Sequence, residues 1–186
     1  MFVAGFAAFV ETRGFEFRLD RYGLMQNIYA PGAATPVARE EGQALLDVFF
    51  RSGCGEMEPA PGAAAALRVL ARHASVVVFS NAPPAARLAR ARWLGRHDLD
   101  YPLVLGSGPK GPLAAAMAAV TTGPSAFVDD LIPNLDSMAE ADPSVIRFQH
   151  VADPRLQPLA PAAPERHRRI DDWTELADAA SEALTR

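Results

Sequence analysis

Three short apolar runs in this sequence end in residues able to handle a phosphate group. Val76-Val77-Val78-Phe79 leads into Ser80-Asn81, a hydroxyl followed by an amide. Leu103-Val104-Leu105 is followed by Gly106-Ser107-Gly108-Pro109-Lys110, which sets an ammonium at the start of the next helix. Ala126-Phe127-Val128 ends in the carboxylate pair Asp129-Asp130, with Asn134 four residues on. A hydroxyl, an ammonium and two carboxylates at one sheet edge suit a phosphate plus Mg²⁺. Ser80, Asn81 and Lys110 would contact phosphate oxygens, and Asp130 offers a hard oxygen ligand to the metal. Each residue also has a plain reading. Ser80-Asn81 can cap a helix that begins near Pro83, Lys110 can be a solvated surface lysine, and Asp130 can close the turn around Pro133-Asn134. The common order across three strand tips favours the chemical reading.

The elements that position these residues alternate along the second part of the chain. Pro61-Gly62 opens a helix with Leu67 and Leu70 facing inward, ending near His73. The wholly apolar run at residues 76–79 reads as a strand buried on both faces. Helices are expected over residues 85–94, 113–120 and 135–139, and strands over 103–105, 126–128 and 145–148. A loop with prolines at 154, 158, 161 and 164 leads to a closing helix from Trp173. Strands separated by helices make parallel βαβ units, hence one open α/β sheet. In such a sheet the chemistry gathers at the carboxyl ends of the strands.

The first part has a different texture. Phe2, Phe6, Phe9 and Val10 fall at helical spacing and predict a helix with one buried face. Residues 13–58 carry no convincing strand. They hold an irregular aromatic stretch (Phe15, Phe17, Tyr22, Tyr29), then a helix starting near Pro36, with Glu40 and Glu41 in its first turn and Ser52-Gly53 at its end.

Bulk properties narrow the classes. A chain of 186 residues with 49% hydrophobic and 22% charged residues is ordinary globular material. The net charge of −4 and scattered arginines argue against a nucleic-acid footprint. The apolar N-terminus is too short for a membrane span and has no basic region before it, so neither a membrane anchor nor a signal peptide is expected. The single cysteine, Cys54, reads as a buried small side chain, and a reducing cytoplasm is the expected compartment. The four histidines, at 73, 97, 150 and 167, show no metal-ligand spacing and read as surface or packing residues. Trp93 and Trp173 read as helix-face packing.

The order of strand tip with Ser80, then Lys110, then strand tip with Asp129-Asp130 resembles motifs II, III and IV of the haloacid-dehalogenase (HAD) superfamily. The N-terminal helix, the stretch around Asn27-Ile28-Tyr29 and the Glu58-Pro59 junction resemble the small helical cap of its 5′(3′)-deoxyribonucleotidase-like branch. The resemblance implies a Rossmann-like open parallel sheet, with a first core helix over 1–12, a cap-like segment over 13–58 and the core over 59–186. It implies Mg²⁺-dependent hydrolysis of a small phosphorylated molecule, with a nucleotide as the branch's suggestion. By that resemblance Ser80 bonds the transferring phosphoryl group, Lys110 neutralises charge on it, Asp130 binds Mg²⁺, and Asp129 orients Lys110. Asn134 stands where many relatives have a further acidic residue.

One departure is large. Family members open with an apolar strand ending in Asp-x-Asp, whose first aspartate is the nucleophile and whose second is the general acid/base. This sequence begins on the helix expected after that strand. An in-frame Asp-x-Asp is therefore expected within about 25 codons upstream of Met1, the length of a strand and its turn. Asp98-Leu99-Asp100 and Asp171-Asp172 read as loop and helix-cap residues, not as substitutes. Three other readings remain. Gly106-x-Gly108-x-x-Gly111 matches a dinucleotide-binding pattern, although Pro109 and Pro112 remove the N–H groups such a loop needs. A dehalogenase would leave Asp129-Asp130 without a metal to bind. A non-catalytic relative would bind a phosphorylated ligand or a partner.

Overall fold

The computed structural model describes residues 1–185. In chain order the elements are α1 (Phe2–Glu11), β1 (Glu16–Phe17), β2 (Ile28–Tyr29), α2 (Arg39–Ser52), α3 (Ala63–Leu70), β3 (Val78–Ser80), α4 (Arg87–Arg96), β4 (Leu103–Leu105), α5 (Gly111–Ala118), β5 (Ala126–Asp129), α6 (Ile132–Ala141), β6 (Ile146–Gln149), β7 (Arg168–Arg169) and α7 (Trp173–Leu184). They fall into two compact units. One comprises Met1–Ala60, Ala82–Asp100 and Asp153–Ala160; the other comprises Pro61–Asn81, Tyr101–Ala152 and Pro161–Arg186.

In the first unit the aromatic spacing of α1 does what its sequence requires. Phe6, Phe9 and Val10 are buried and Phe2 is half-buried. The ring of Phe49 on α2 meets Phe2, Phe6 and Phe9 edge-on, with centroids 5.5, 5.4 and 5.2 Å away. α2 begins at Arg39, three residues past Pro36, with its acidic first turn and Arg51 in its last turn suiting the helix dipole. The stretch expected to lack strands contains a two-residue antiparallel ladder, Glu16↔Tyr29 and Phe17↔Ile28. Its organiser is Asn27, fully buried, which donates to the carbonyls of Arg21 and Gly23 (2.9 Å each) and accepts from the Asp20 amide. A ladder of two pairs is too short to leave an alternation in the sequence.

The second unit is α/β with short parallel strands. β3 pairs with β4 (Val78↔Leu103 to Ser80↔Leu105), while β5 pairs with β6 and β6 with β7. The α/β class with parallel strands is as expected, and the strands form two separate hydrogen-bonded sheets, β3-β4 and β5-β6-β7. The strand expected over 76–79 is Val78–Ser80. It is half-buried rather than enclosed on both faces, and Val77 is 41% exposed. The ladders explain why. The Ile146 amide bonds the Ser125 carbonyl and the His150 amide that of Asp129. In a parallel ladder this alternation aims the main-chain groups of Ala126 and Val128 at the edge away from β6. Val128, in mid-strand, is accordingly 36% exposed. By the same alternation, Val78 N to Pro102 O and Gly106 N to Ser80 O leave the Phe79 main chain facing the edge away from β4. An apolar run predicts burial only where strands flank it on both sides.

Leu135, Met138, Phe127 and Ala114 form one core cluster, joined by Phe79; Phe148, Leu176 and Ala180 form a second. β7 lies unsuspected in the proline-rich segment and again contributes only two residues. α7 begins at Trp173, where Asp172 caps it by accepting from Thr174 N and Glu175 N at 2.8 and 3.0 Å. α5 and α6 touch at Gly111, where a Cβ would stand 2.0 Å from the Ser137 carbonyl oxygen. No helix among the described residues is long and apolar enough to cross a membrane.

Candidate functional site

The site is assembled from the ends of β3 and β5 and the start of α5, all within the second unit. Lys110 stands immediately before α5, and its ammonium meets Asp129 Oδ2 at 2.7 Å. The Asp129 side chain is 3% exposed and that of Lys110 16%. Asp129 Oδ1 accepts two further bonds, from the Leu131 amide and the Asn134 side-chain amide, each 2.9 Å. Both carboxylate oxygens are thereby committed, one to a cation and one to neutral donors of the β5–α6 turn. The Lys110 ammonium also lies 5.6 Å from the centre of the Phe79 ring, within cation–π range. One lysine thus touches the strand ending at Ser80 and the strand ending at Asp129.

Ser80 is half-buried at the end of β3, and Asn81 beyond it is exposed. The Asn81 amide donates to the Gly108 carbonyl at 2.8 Å, tying the β3 tip to the loop that precedes Lys110. The helical turn after Ser80-Asn81 spans Pro84–Ala86, with Pro83 at its N-cap. Asp130 is exposed at the end of β5. Asn134, at the position suggested for a further acidic residue, instead fixes Asp129. Asp98 and Asp100 lie in the turn after α4, with Asp98 at a positive φ of 56°, while Asp171 Oδ1 accepts from Val151 N and Arg169.

A resident Mg²⁺ needs several fixed oxygens around it. Asp129 Oδ1 already accepts two bonds and Oδ2 one, from Lys110, so Asp130 is the more open carboxylate. Among the described residues no group of three or more His, Cys, Asp or Glu is placed to hold a metal ion. The donor set of these residues alone does not fit the ion.

The glycines around Lys110 have structural explanations. A Cβ on Gly106 would come within 2.6 Å of the Phe79 ring, Gly108 has φ +72°, and Gly111 is the α5–α6 approach. Nothing in the residue spacing foretold the polar cluster at the end of β6. Gln149 is fully buried, with its amide donating to Pro161 O at 2.7 Å and Asp130 O at 3.3 Å. His150 is also buried, its Nδ1 2.8 Å from Ile170 O and its ring 4.3 Å from that of Trp173. Two polar residues ending an apolar strand were the available signal. Burial holds the His150 pKa below its ordinary 6.5, against the upward pull of the Ile170 carbonyl and Asp171, Asp130 and Asp172.

Neither a protein-family model nor a curated protein matches this sequence.

Proposed function

We propose that this chain is the phosphate-handling part of a HAD-type phosphomonoester hydrolase. The observation that carries the reading is the Lys110–Asp129 pair at 2.7 Å, in a unit where Ser80 and Asp129-Asp130 both end parallel strands. In this reading Ser80 and Asn81 bond the phosphoryl oxygens. Lys110, oriented by Asp129, offsets their negative charge in partly desolvated surroundings. The parent chemistry is Mg²⁺-assisted phosphoryl transfer, and the cap resemblance suggests a nucleotide-like substrate.

Among the described residues no strand ends in Asp-x-Asp. Without a positioned carboxylate nucleophile, in-line transfer has no attacking group. This length should therefore turn over no phosphomonoester at an enzymatic rate. The test compares it with a form extended upstream to include the expected Asp-x-Asp. Nucleoside monophosphates and an aryl phosphate serve as substrates, with and without EDTA. The extended form should gain EDTA-sensitive turnover that Asp130→Asn abolishes. EDTA-sensitive turnover by the 186-residue form, lost on the same substitution, would show the nucleophile to be among these residues. An inert extended form favours the second reading, a non-catalytic module that binds a phosphorylated ligand. The observation on that side is Asp129, whose two oxygens already accept three bonds from the protein itself.

A further inference from the structure

In the first unit Arg90 is drawn out of water without the carboxylate that Lys110 has. Arg90, on α4, is half-buried, and its Nη1 has no solvent contact and no hydrogen-bond partner. The central guanidinium carbon lies 4.7 Å from the centre of the Trp93 ring. A ring face attracts the guanidinium as a cation but accepts none of its in-plane N–H bonds as an oxygen would. Trp93 is fixed in turn, its indole N–H donating to the Met57 carbonyl at 2.5 Å. Burial is the main influence on the arginine and weakens its hold on its proton, with Cys54, itself a buried thiol pushed up by burial, acting the other way. Two guanidiniums of this unit are closed on carboxylates, Arg18 on Glu16 and Arg155 on Asp153.

An unpaired charge withdrawn from water is costly, and Arg is selected for such places where a planar oxyanion completes its fork. We propose that Arg90 is an oxyanion receptor, taking a phosphate or carboxylate group that none of the described side chains supplies. The inference is independent of the phosphatase reading, since no residue of the Ser80–Lys110–Asp129 cluster enters it. The ligand group is planar or tetrahedral, carries at least one full negative charge, and presents two oxygens to the guanidinium edge.

The experiment follows thermal unfolding of the whole chain against inorganic phosphate and, separately, malonate, at ionic strength held constant with chloride. The wild type should rise by about 3–6 °C at ten times the dissociation constant of whichever anion is preferred. A response to phosphate alone assigns a phosphorylated ligand, and one to malonate alone a carboxylate, including one borne by a polypeptide. Arg90→Met should lose the response and, without anion, melt no lower than wild type, because it removes an unpaired charge. Arg90→Lys should keep a response at least about tenfold weaker, because an ammonium lacks the fork. Arg18→Met, at a guanidinium already closed on Glu16, should leave the response intact, and Lys110→Met should remove only such share of it as the Ser80–Lys110 site contributes. The inference fails if neither anion acts on the wild type. It fails equally if Lys110→Met removes the response while Arg90→Met keeps it, a result that would support the Ser80–Lys110 site instead. An anion-free Arg90→Met protein melting several degrees below wild type would show that the guanidinium already has a structural partner.

Discussion

Lys110 and Arg90 are both drawn partly out of water, one in each unit, and they are treated differently. Lys110 ends on a carboxylate whose two oxygens are shared among three donors. Arg90 ends on a tryptophan face and leaves one nitrogen unserved. A cation with its counter-charge built in helps hold the backbone around it, and breaking the pair exposes that dependence. A cation without one adds cost to the folded state until something binds. Substitution should therefore separate the two by sign as well as size.

The largest effect is expected at Asp129. Asp129→Ala strands the Lys110 ammonium, the Leu131 amide and the Asn134 side chain together, and should cost about 3–5 kcal/mol in urea unfolding. A loss under about 1 kcal/mol would mean that water already serves these donors and that the pair is not a closed one. Next comes Gly111→Ala, where the new methyl meets backbone and α5 must shift from α6; about 1–3 kcal/mol should go. Unchanged stability there would remove the close helix approach as the reason for the glycine. Lys110→Met should cost less than Asp129→Ala, about 1–2 kcal/mol, because Leu131 and Asn134 still serve the carboxylate. Arg90→Met sits at the other end of the comparison, with no loss and a gain of up to about 1 kcal/mol. A loss there matching that of Lys110→Met would erase the distinction.

The smallest effect is one of pH. Burial lowers the His150 pKa, so the folded protein resists the proton that the unfolded chain accepts near 6.5. Stability attributable to this group is intact above that value. It declines as pH falls from about 6.5 toward the lowered folded pKa, because the unfolded state then binds more protons. Urea midpoints for wild type and His150→Phe should differ in slope across that interval and run parallel above it. Parallel curves throughout would assign acid sensitivity to other groups.

How much of this was legible beforehand depended on the length over which a residue pattern repeats. α1 showed in its apolar spacing, α7 as the closing helix after the proline-rich loop, and β4, β5 and β6 in short apolar runs between helices. The ladder at Glu16–Phe17 and the strand at Arg168–Arg169 did not, since two residues cannot display a period. Ser80, Lys110 and Asp129 could be picked out because each follows a strand in a fixed order. Arg90 could not, because one arginine on a helix with four looks like any other until its surroundings are known. The division of the strands into two sheets is one of the two outcomes, a gap or direct pairing of the strands ending at Ser80 and Asp129, that follow from the absent family strand. Hydrophobicity reports what a strand would bury, and pairing depends on which strands are present beside it.

Those unpaired edges have a consequence for how the protein behaves in a test tube. The open side of β5 presents main-chain donors and acceptors next to the exposed Val128, and natural proteins guard such edges with charges, prolines or bulges. No charged side chain occurs among Ala126, Phe127 and Val128. Concentrated solutions should therefore gain intermolecular β-structure over time, seen as rising light scattering with thioflavin binding. Val128→Lys, a single charge at the edge, should slow it.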